Sequence, residues 1–143
     1  MRGAPMKRSH LVLHLSTAAL ALFLCIGTAT FLGPCVHEDG SAGPCRDAGT
    51  ASVLLSGALA VLALLPLLPP VRRSPLMSVV PGAAGAILSV ILFLVPGVLR
   101  RLCMMSTMHC LSVMQPAVRI LSAALFVLFL ASVVSNLRRR KAA

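Results

Sequence analysis

The sequence contains neither tryptophan nor tyrosine, and only three of its 143 residues are acidic. Charged residues make up 11% of the chain, whereas they make up about 25% of an average soluble domain. Hydrophobic residues make up 58%, and the mean hydropathy is +0.96. Because so little polar surface cannot cover a water-soluble globule, the composition predicts an integral membrane protein embedded in the lipid bilayer. The missing tryptophan and tyrosine also exclude the usual aromatic belts at the membrane interfaces.

A net charge of +10 is the one feature that would suggest a nucleic-acid partner. However, most of the basic residues stand in short clusters beside apolar runs. Such clusters are typical of membrane topology signals and of contacts with lipid headgroups. We therefore expect no nucleic acid partner.

Four apolar runs cover residues 11–32, 50–69, 77–99 and 117–136. None contains Asp, Glu or Lys, and the single Arg among them is Arg119. Each run has about 20 residues or slightly more, which as a helix crosses a hydrocarbon core of about 30 Å. The sequence therefore predicts an all-α membrane fold, with four transmembrane helices in a single domain spanning residues 1–143. Prolines punctuate the runs, closing the second, opening the third and fourth and lying near the end of the third: Pro66, Pro69, Pro70, Pro75, Pro81, Pro96 and Pro116.

Basic residues predict the orientation, because Lys and Arg favour the cytoplasmic side. They are concentrated in residues 1–10, 70–76 and 137–143, which we expect to be cytoplasmic. The predicted external loops, residues 33–49 and 100–116, hold fewer basic residues, and the first holds all three acidic residues. Both termini are thus expected on the cytoplasmic side of the cell membrane. The alternative that the first run is a cleaved signal peptide is disfavoured by its length of about 22 residues, and it would leave three spans.

An internal repeat is also visible. Residues 54–62 (LLSGALAVL) resemble residues 120–128 (ILSAALFVL), and each stretch follows an external loop with two cysteines. This predicts two helical hairpins related by a pseudo-two-fold axis along the membrane normal. Small residues at four-residue spacing predict close helix packing in the first three runs: Thr17, Ala21, Cys25 and Ala29; Ser52, Ser56 and Ala60; Gly82 and Ala86.

Four cysteines lie on the predicted outer side, where disulfides persist: Cys35, Cys45, Cys103 and Cys110. The simplest interpretation is one structural disulfide in each loop. A Cys35–Cys45 bridge would contribute roughly 2.5–3 kcal/mol by loop-closure entropy. Four cysteines allow three pairings, and the sequence does not choose among them.

Two other interpretations of these cysteines remain open. Two external cysteine pairs on four helices are also the layout of the quinone-linked membrane enzymes that form disulfides, and Arg46 and Arg101 would stabilise their thiolates. Neither pair, however, is a Cys-x-x-Cys motif. Alternatively, the second loop offers soft ligands suited to Cu(I): Cys103, Met104, Met105, Met108, His109 and Cys110, with Met114 nearby.

Other chemistry is sparse in the predicted spans. None of them contains a carboxylate of the kind that proton-coupled transport uses. His14 is the clear titratable candidate in a span, and a histidine at that depth more often hydrogen-bonds a neighbouring helix than relays protons. We expect no enzymatic activity, no cofactor and no metal, with quinone and copper as the alternatives.

The stretch from Cys103 to Cys110, followed by Pro116-Ala117 and an apolar helix, resembles a domain-of-unknown-function family of small bacterial four-helix membrane proteins. Members of that family often carry His directly after the second cysteine of each loop, where this chain has Arg46 and Leu111. The resemblance implies a multi-pass inner-membrane protein with a structural or accessory role, for example beside an export-type permease. It also leaves open a membrane-protein partner or a homo-oligomer.

Overall fold

The computed structural model describes residues 8–32, 45–68, 75–99 and 110–142. Four long helices account for most of them: α1 (Arg8–Ala29), α2 (Cys45–Leu64), α3 (Pro75–Leu94) and α4 (Gln115–Ala142). A 3-10 turn extends α2, and a π-helical turn (Cys110–Met114) precedes α4. Three helical stretches are long and apolar enough to cross a membrane, namely Arg8–Ala29, Arg46–Leu67 and Ser112–Arg138. The all-helical fold class is thereby confirmed for the described residues, and these helices are compatible with the membrane protein that the composition predicts.

The ends of all four helices differ by a few residues from the runs predicted from hydropathy, and two of these differences have a clear physical cause. Helix α2 begins at Cys45 rather than near residue 50, because a helix does not have to begin where lipid begins. Its first turn carries Asp47, which interacts favourably with the positive end of the helix dipole. Helix α3 ends at Leu94 rather than at Leu99. Pro96 disfavours helical geometry in the residue before it, and Gly97 adopts a φ of +94°.

Pro81 is a second correction. The sequence predicted that it opens the third helix together with Pro75, but Pro75 alone does so and Pro81 lies inside α3. Pro81 stands seven positions into the helix and is buried. A proline there removes one backbone hydrogen bond, a loss that transmembrane helices tolerate when neighbouring helices surround the site.

The helices form a four-sided bundle. The most extensive contacts join α1 to α2 and α3 to α4, and smaller interfaces join α2 to α3 and α1 to α4. Between the described parts of the helices, the diagonal pairs barely touch. Successive helices in the chain are therefore neighbours around the bundle, as short connections favour.

Leucines, alanines and hydroxyl side chains fill much of the interior. The buried hydroxyls mostly donate to the carbonyl oxygen four residues earlier in their own helix, as Ser52 does to Ala48 at 2.8 Å and Ser89 does to Gly85 at 2.8 Å. In a membrane span, such a bond satisfies the hydroxyl within its own helix, so the hydroxyl needs no partner on another helix. Large apolar side chains such as Leu54 and Ile120 point outward instead, as expected where lipid is the solvent.

Two glycines of α3 allow its backbone to lie close to α4. A Cβ atom built on Gly82 would lie 2.8 Å from Cγ2 of Val133. One built on Gly85 would lie 2.7 Å from Cζ of Phe129 and nearer still to two other atoms of that ring. The Phe129 side chain is 2% exposed, so it has packed into the space that the missing glycine side chain leaves. Small residues thus bring these two backbones together, as predicted for Gly82.

Candidate functional site

The four external cysteines are only partly within the described residues. Cys45 is the first residue of α2, and Cys110 is the first residue of the π-helical turn. Cys35, Cys103 and the side chains of Cys45 and Cys110 lie outside the described residues. The predicted loop disulfides and the alternative thiol-exchange site therefore remain predictions.

The same holds for most of the predicted copper ligands. Met104, Met105, Met108 and His109 lie outside the described residues. Met114, however, is completely buried in the bundle core, so its thioether packs among helices rather than in the loop. Within the described ranges, no group of three or more His, Cys, Asp and Glu side chains is close enough to hold a metal ion.

Two polar residues of α1 lie where the sequence suggested. Cys25 is a free, half-buried thiol whose Sγ lies 3.6 Å from the carbonyl oxygen of Val53, so it contributes to the α1–α2 contact. His14 is buried, with 7% of its surface exposed. Of the small-residue row on α1, Thr17 and Ala21 are buried, whereas Ala29 is exposed at the helix end.

The most unusual polar group of the described residues is the side chain of Arg119, in the second turn of α4. Its Nη2 donates a 3.1 Å hydrogen bond to the carbonyl oxygen of Pro96. Its guanidinium carbon lies 5.6 Å from the ring centroid of Phe93, near the end of α3. Contacts between cations and aromatic rings of this kind are favourable, and more so where water is scarce. Arg119 thus ties the start of α4 to the end of α3.

The turn after α3 makes room for this contact. Pro96 ends the helical geometry, so its carbonyl oxygen is not taken up by a continuing helix. Gly97 follows with a φ of +94°, a conformation that L side chains rarely adopt. A Cβ atom on Gly97 would lie 2.7 Å from Nε2 of Gln115 and 3.4 Å from Nη2 of Arg119. Glycine therefore lets the Gln115 amide and the Arg119 guanidinium lie side by side over the turn.

The electrostatics of this cluster are unbalanced. Nε of Arg119 is buried and has no hydrogen-bond partner among the described residues. Within those same residues, no carboxylate forms an ion pair with the guanidinium, which contacts a backbone oxygen and an aromatic ring. Arg119 as a whole is half-buried, and a partly desolvated cation without an anion is costly in a medium of low dielectric constant. Among the described residues, the arrangement therefore leaves the N–H donor of Nε unused and gives the positive charge no anionic partner.

Sequence reasoning noted Arg119 as the single Arg within the apolar runs but assigned it no function. The signal that could have singled it out was present, since Arg119 is the one charged residue within the four apolar runs. Charged residues inside membrane segments are rare and usually functional. Its neighbours Phe93, Pro96 and Gln115 could not be assigned to it from sequence, because the contact depends on how α3 packs on α4.

Comparison with known proteins identifies the family of this chain but finds no individual protein that matches it. No curated protein and no solved structure matches it significantly. The profile of one family, described as Domain of unknown function (DUF4418), matches residues 17–135. This range contains all of α2 and α3, most of α1 and the membrane part of α4. The chain therefore belongs to the DUF4418 family, which agrees with the resemblance seen in its sequence.

Proposed function

We propose that this protein is a four-span membrane protein built from two repeated hairpins, with a structural or accessory rather than a catalytic role. Both termini face the cytoplasm, and the two cysteine-containing loops face outward in the cell membrane. Three features support the proposal: the length and packing of α3, the matching burial of the two hairpins, and the way the buried hydroxyl groups are bonded.

The packing of α3 supports the fourth span. Its 20 residues correspond to about 30 Å of helix, and its side chains from Val79 to Leu94 are strongly apolar. It runs antiparallel to α4, because Gly82 meets Val133 near one end and Phe93 meets Arg119 near the other. Since α4 is long enough to span the bilayer, a helix packed along it over this length crosses the same thickness.

Helices α2 and α4 support the repeat through their burial. When α2 is shifted by 66 positions onto α4, six of the eight buried residues between Cys45 and Leu68 fall on buried residues, whereas Gly49 and Ala60 fall on the half-buried Gln115 and Phe126. Exposed residues coincide as well: Leu54 is 69% exposed and Ile120 is 68% exposed. The buried pairs are Ala48 and Met114, Ser52 and Val118, Ser56 and Ser122, Leu59 and Leu125, Ala63 and Phe129, and Pro66 and Ser132.

Helices α1 and α3 support the repeat independently, because their burial patterns also match when α1 is shifted by 68 positions onto α3. All seven buried residues of α1 fall on buried residues, although the residue types mostly differ, whereas the buried Pro81 falls on the half-buried Leu13. The pairs are His14 and Gly82, Thr17 and Gly85, Ala18 and Ala86, Ala21 and Ser89, Leu24 and Leu92, Gly27 and Val95, and Thr28 and Pro96. Because the same shift pairs Cys35 with Cys103, the first external cysteine also follows the repeat.

The bonding of the buried hydroxyls is the observation that carries the accessory role. Ser56 donates to the carbonyl oxygens of Ser52 and Val53, and its repeat partner Ser122 donates to those of Val118 and Arg119. Hydroxyls occupied in this way satisfy their own helix and are not poised to bind a substrate or pass a proton. The bundle centre therefore functions as packing, and function is left to the ends of the helices, the loops and the outer surface.

Thiol mapping by mass spectrometry, with and without reductant, tests the accessory role. Complete and stable Cys35–Cys45 and Cys103–Cys110 bridges are expected. In addition, replacing Cys103 or Cys110 singly should yield no mixed disulfide with another envelope protein on a non-reducing gel, because exchange enzymes act through that intermediate. A reproducible heterologous adduct would refute the accessory role in favour of thiol exchange. Free thiols that retain copper would refute it in favour of copper handling.

Single-cysteine labelling in a background without native cysteines tests the topology. A membrane-impermeant thiol reagent should label probes placed at Ser41 and Ser106 in intact cells. It should fail to label probes at Ser74 and Ala142 until the membrane is opened. Labelling of Ser74 in intact cells would contradict the two-hairpin arrangement.

A further inference from the structure

We propose that Arg119 and Gln115 form a binding site for a phosphate-type oxyanion at the outer end of the α3–α4 hairpin. The phosphate group of an anionic lipid and free inorganic phosphate share this chemistry. The contacts that define the site stand independently of the proposed function, which is used only to place the site on the outer side and to compare the two hairpins.

The first argument is the state of the guanidinium. A long arginine side chain near the end of a span ordinarily extends its head into water. Arg119 is instead half-buried: its Nε is shielded from solvent and has no partner among the described residues, and its Nη2 is bonded to the Pro96 carbonyl. A backbone oxygen compensates only part of a full positive charge. Guanidinium groups are suited to paired N–H···O bonds with phosphate, so an oxyanion would supply the missing charge.

The second argument is the set of donors that share the turn. Nε2 of Gln115 is directed over Gly97 beside Nη2 of Arg119, as the positions of both atoms around a Cβ built on Gly97 show. An amide N–H next to a guanidinium offers donors from two side chains toward one ligand.

The third argument comes from comparing the two hairpins at equivalent positions. With the shifts of 66 and 68, Arg119 corresponds to Val53 and Phe93 corresponds to Cys25. The first hairpin has an uncharged contact there, between the Cys25 thiol and the Val53 carbonyl. The second has the guanidinium over the ring. Gln115 likewise corresponds to Gly49, which has no side-chain donor. The charged cluster is therefore not required to close a hairpin of this kind.

Thermal unfolding of the purified protein in detergent provides the test, with added phosphatidylglycerol, phosphatidylcholine or inorganic phosphate at constant ionic strength. Phosphatidylglycerol should raise the unfolding midpoint by about 3 °C or more over phosphatidylcholine, because a ligand of the folded state stabilises it. A rise with phosphatidylglycerol alone identifies a lipid headgroup, and a rise with phosphate identifies a free anion. Native mass spectrometry should count one tightly held phosphatidylglycerol in the first case.

Variants locate the effect. Arg119→Gln should abolish the rise, and Gln115→Leu should reduce it. Arg119→Lys keeps the positive charge but loses the paired N–H donors of the guanidinium. It should therefore retain only part of the rise in the unfolding midpoint. Arg46→Gln removes an exposed charge from the same side of the membrane and is the matched control, with the rise unchanged. If Arg119→Gln does not fold, the effects of Arg119→Lys and Gln115→Leu on the rise decide whether the site exists.

Three results would overturn the site. The first is a full ligand-dependent rise in Arg119→Gln or, if that variant does not fold, in both other variants. The second is no rise in the wild type with either ligand. The third is an internal partner, shown if Glu38→Gln and Asp39→Asn together lower stability as much as Arg119→Gln and not additively with it. The topology labelling could fail while the rise in the unfolding midpoint persists and still depends on Arg119. That result would refute the proposed orientation but not the binding site.

Discussion

Adding one methyl group to Gly85 should destabilise the protein, although alanine is the better helix former. Alanine in place of glycine in a helix interior is worth about 0.8–1 kcal/mol by propensity alone. At Gly85 the new Cβ would lie 2.7 Å from Cζ of Phe129 and closer to two other ring atoms. Carbon atoms in proteins pack at about 3.5–4.0 Å, so the ring or the helix must move by roughly an ångström.

The Phe129 ring has little space into which to move. It is 2% exposed and belongs to the core cluster with Ala86, Leu92 and Leu125. Overfilling a packed interior typically costs about 1–3 kcal/mol. After subtracting the helix propensity gained, we expect Gly85→Ala to lower the free energy of unfolding by up to about 2 kcal/mol.

Gly57→Ala is a matched control in α2. A Cβ there would meet only Sγ of Cys25, at 3.9 Å, which is ordinary contact. Without a clash, the propensity gain should remain, so Gly57→Ala should be neutral or stabilising by up to about 1 kcal/mol. Both variants are compared with the wild type by reversible unfolding in mixed detergent micelles.

A double variant isolates the contact itself. Phe129→Leu removes the ring and should cost stability alone, but Gly85→Ala should cost much less in that background than in the wild type. Such a coupling energy between two contacting residues is typically 0.5–3 kcal/mol, on the order of the clash itself. Equal stability of Gly85→Ala and Gly57→Ala, or strict additivity with Phe129→Leu, would refute the close α3–α4 packing.

Three further predictions concern the turn, the repeat and the loops. Gly97→Ala should lower the free energy of unfolding by about 1–2 kcal/mol because φ is +94° there; an unchanged unfolding midpoint would contradict this geometry. Ser56→Ala and Ser122→Ala should each cost about 0.5–1 kcal/mol and should agree within error if the hairpins are equivalent, whereas a clear difference in the unfolding titrations would count against the repeat. Replacing Cys35 and Cys45 together by Ser should lower stability by at most about 3 kcal/mol without affecting disulfide formation in other envelope proteins; no loss of stability under oxidising conditions would mean that the loop is not bridged.

The location of the candidate site illustrates the limit of sequence reasoning. Arg119 was visible as the charged residue in an otherwise apolar run, and that anomaly was as far as a linear pattern could lead. Its contacts come from a helix end more than twenty residues earlier in the chain. Such a contact depends on the rotation of α3 about its axis and on the turn at Gly97, and neither follows from hydropathy.

The sequence by itself determined the membrane character, the helical class and the approximate number and order of helices. The physical reason is that lipid leaves an apolar chain almost no alternative to helices with satisfied backbones, so composition and run length are sufficient. It also pointed to the repeat, through nine similar residues in the second and fourth runs.

The tertiary structure alone decided where helices end and which atoms meet. Pro81 lies inside α3, where the bundle buries it, whereas Pro96 lies in the turn that follows the end of α3 at Leu94. The space above Gly85 is filled by Phe129 from another helix. The guanidinium of Arg119 lies over the Phe93 ring and donates a hydrogen bond to the Pro96 carbonyl oxygen. These outcomes depend on distances between helices, and a one-dimensional pattern of apolar residues carries no information about such distances until the helices pack.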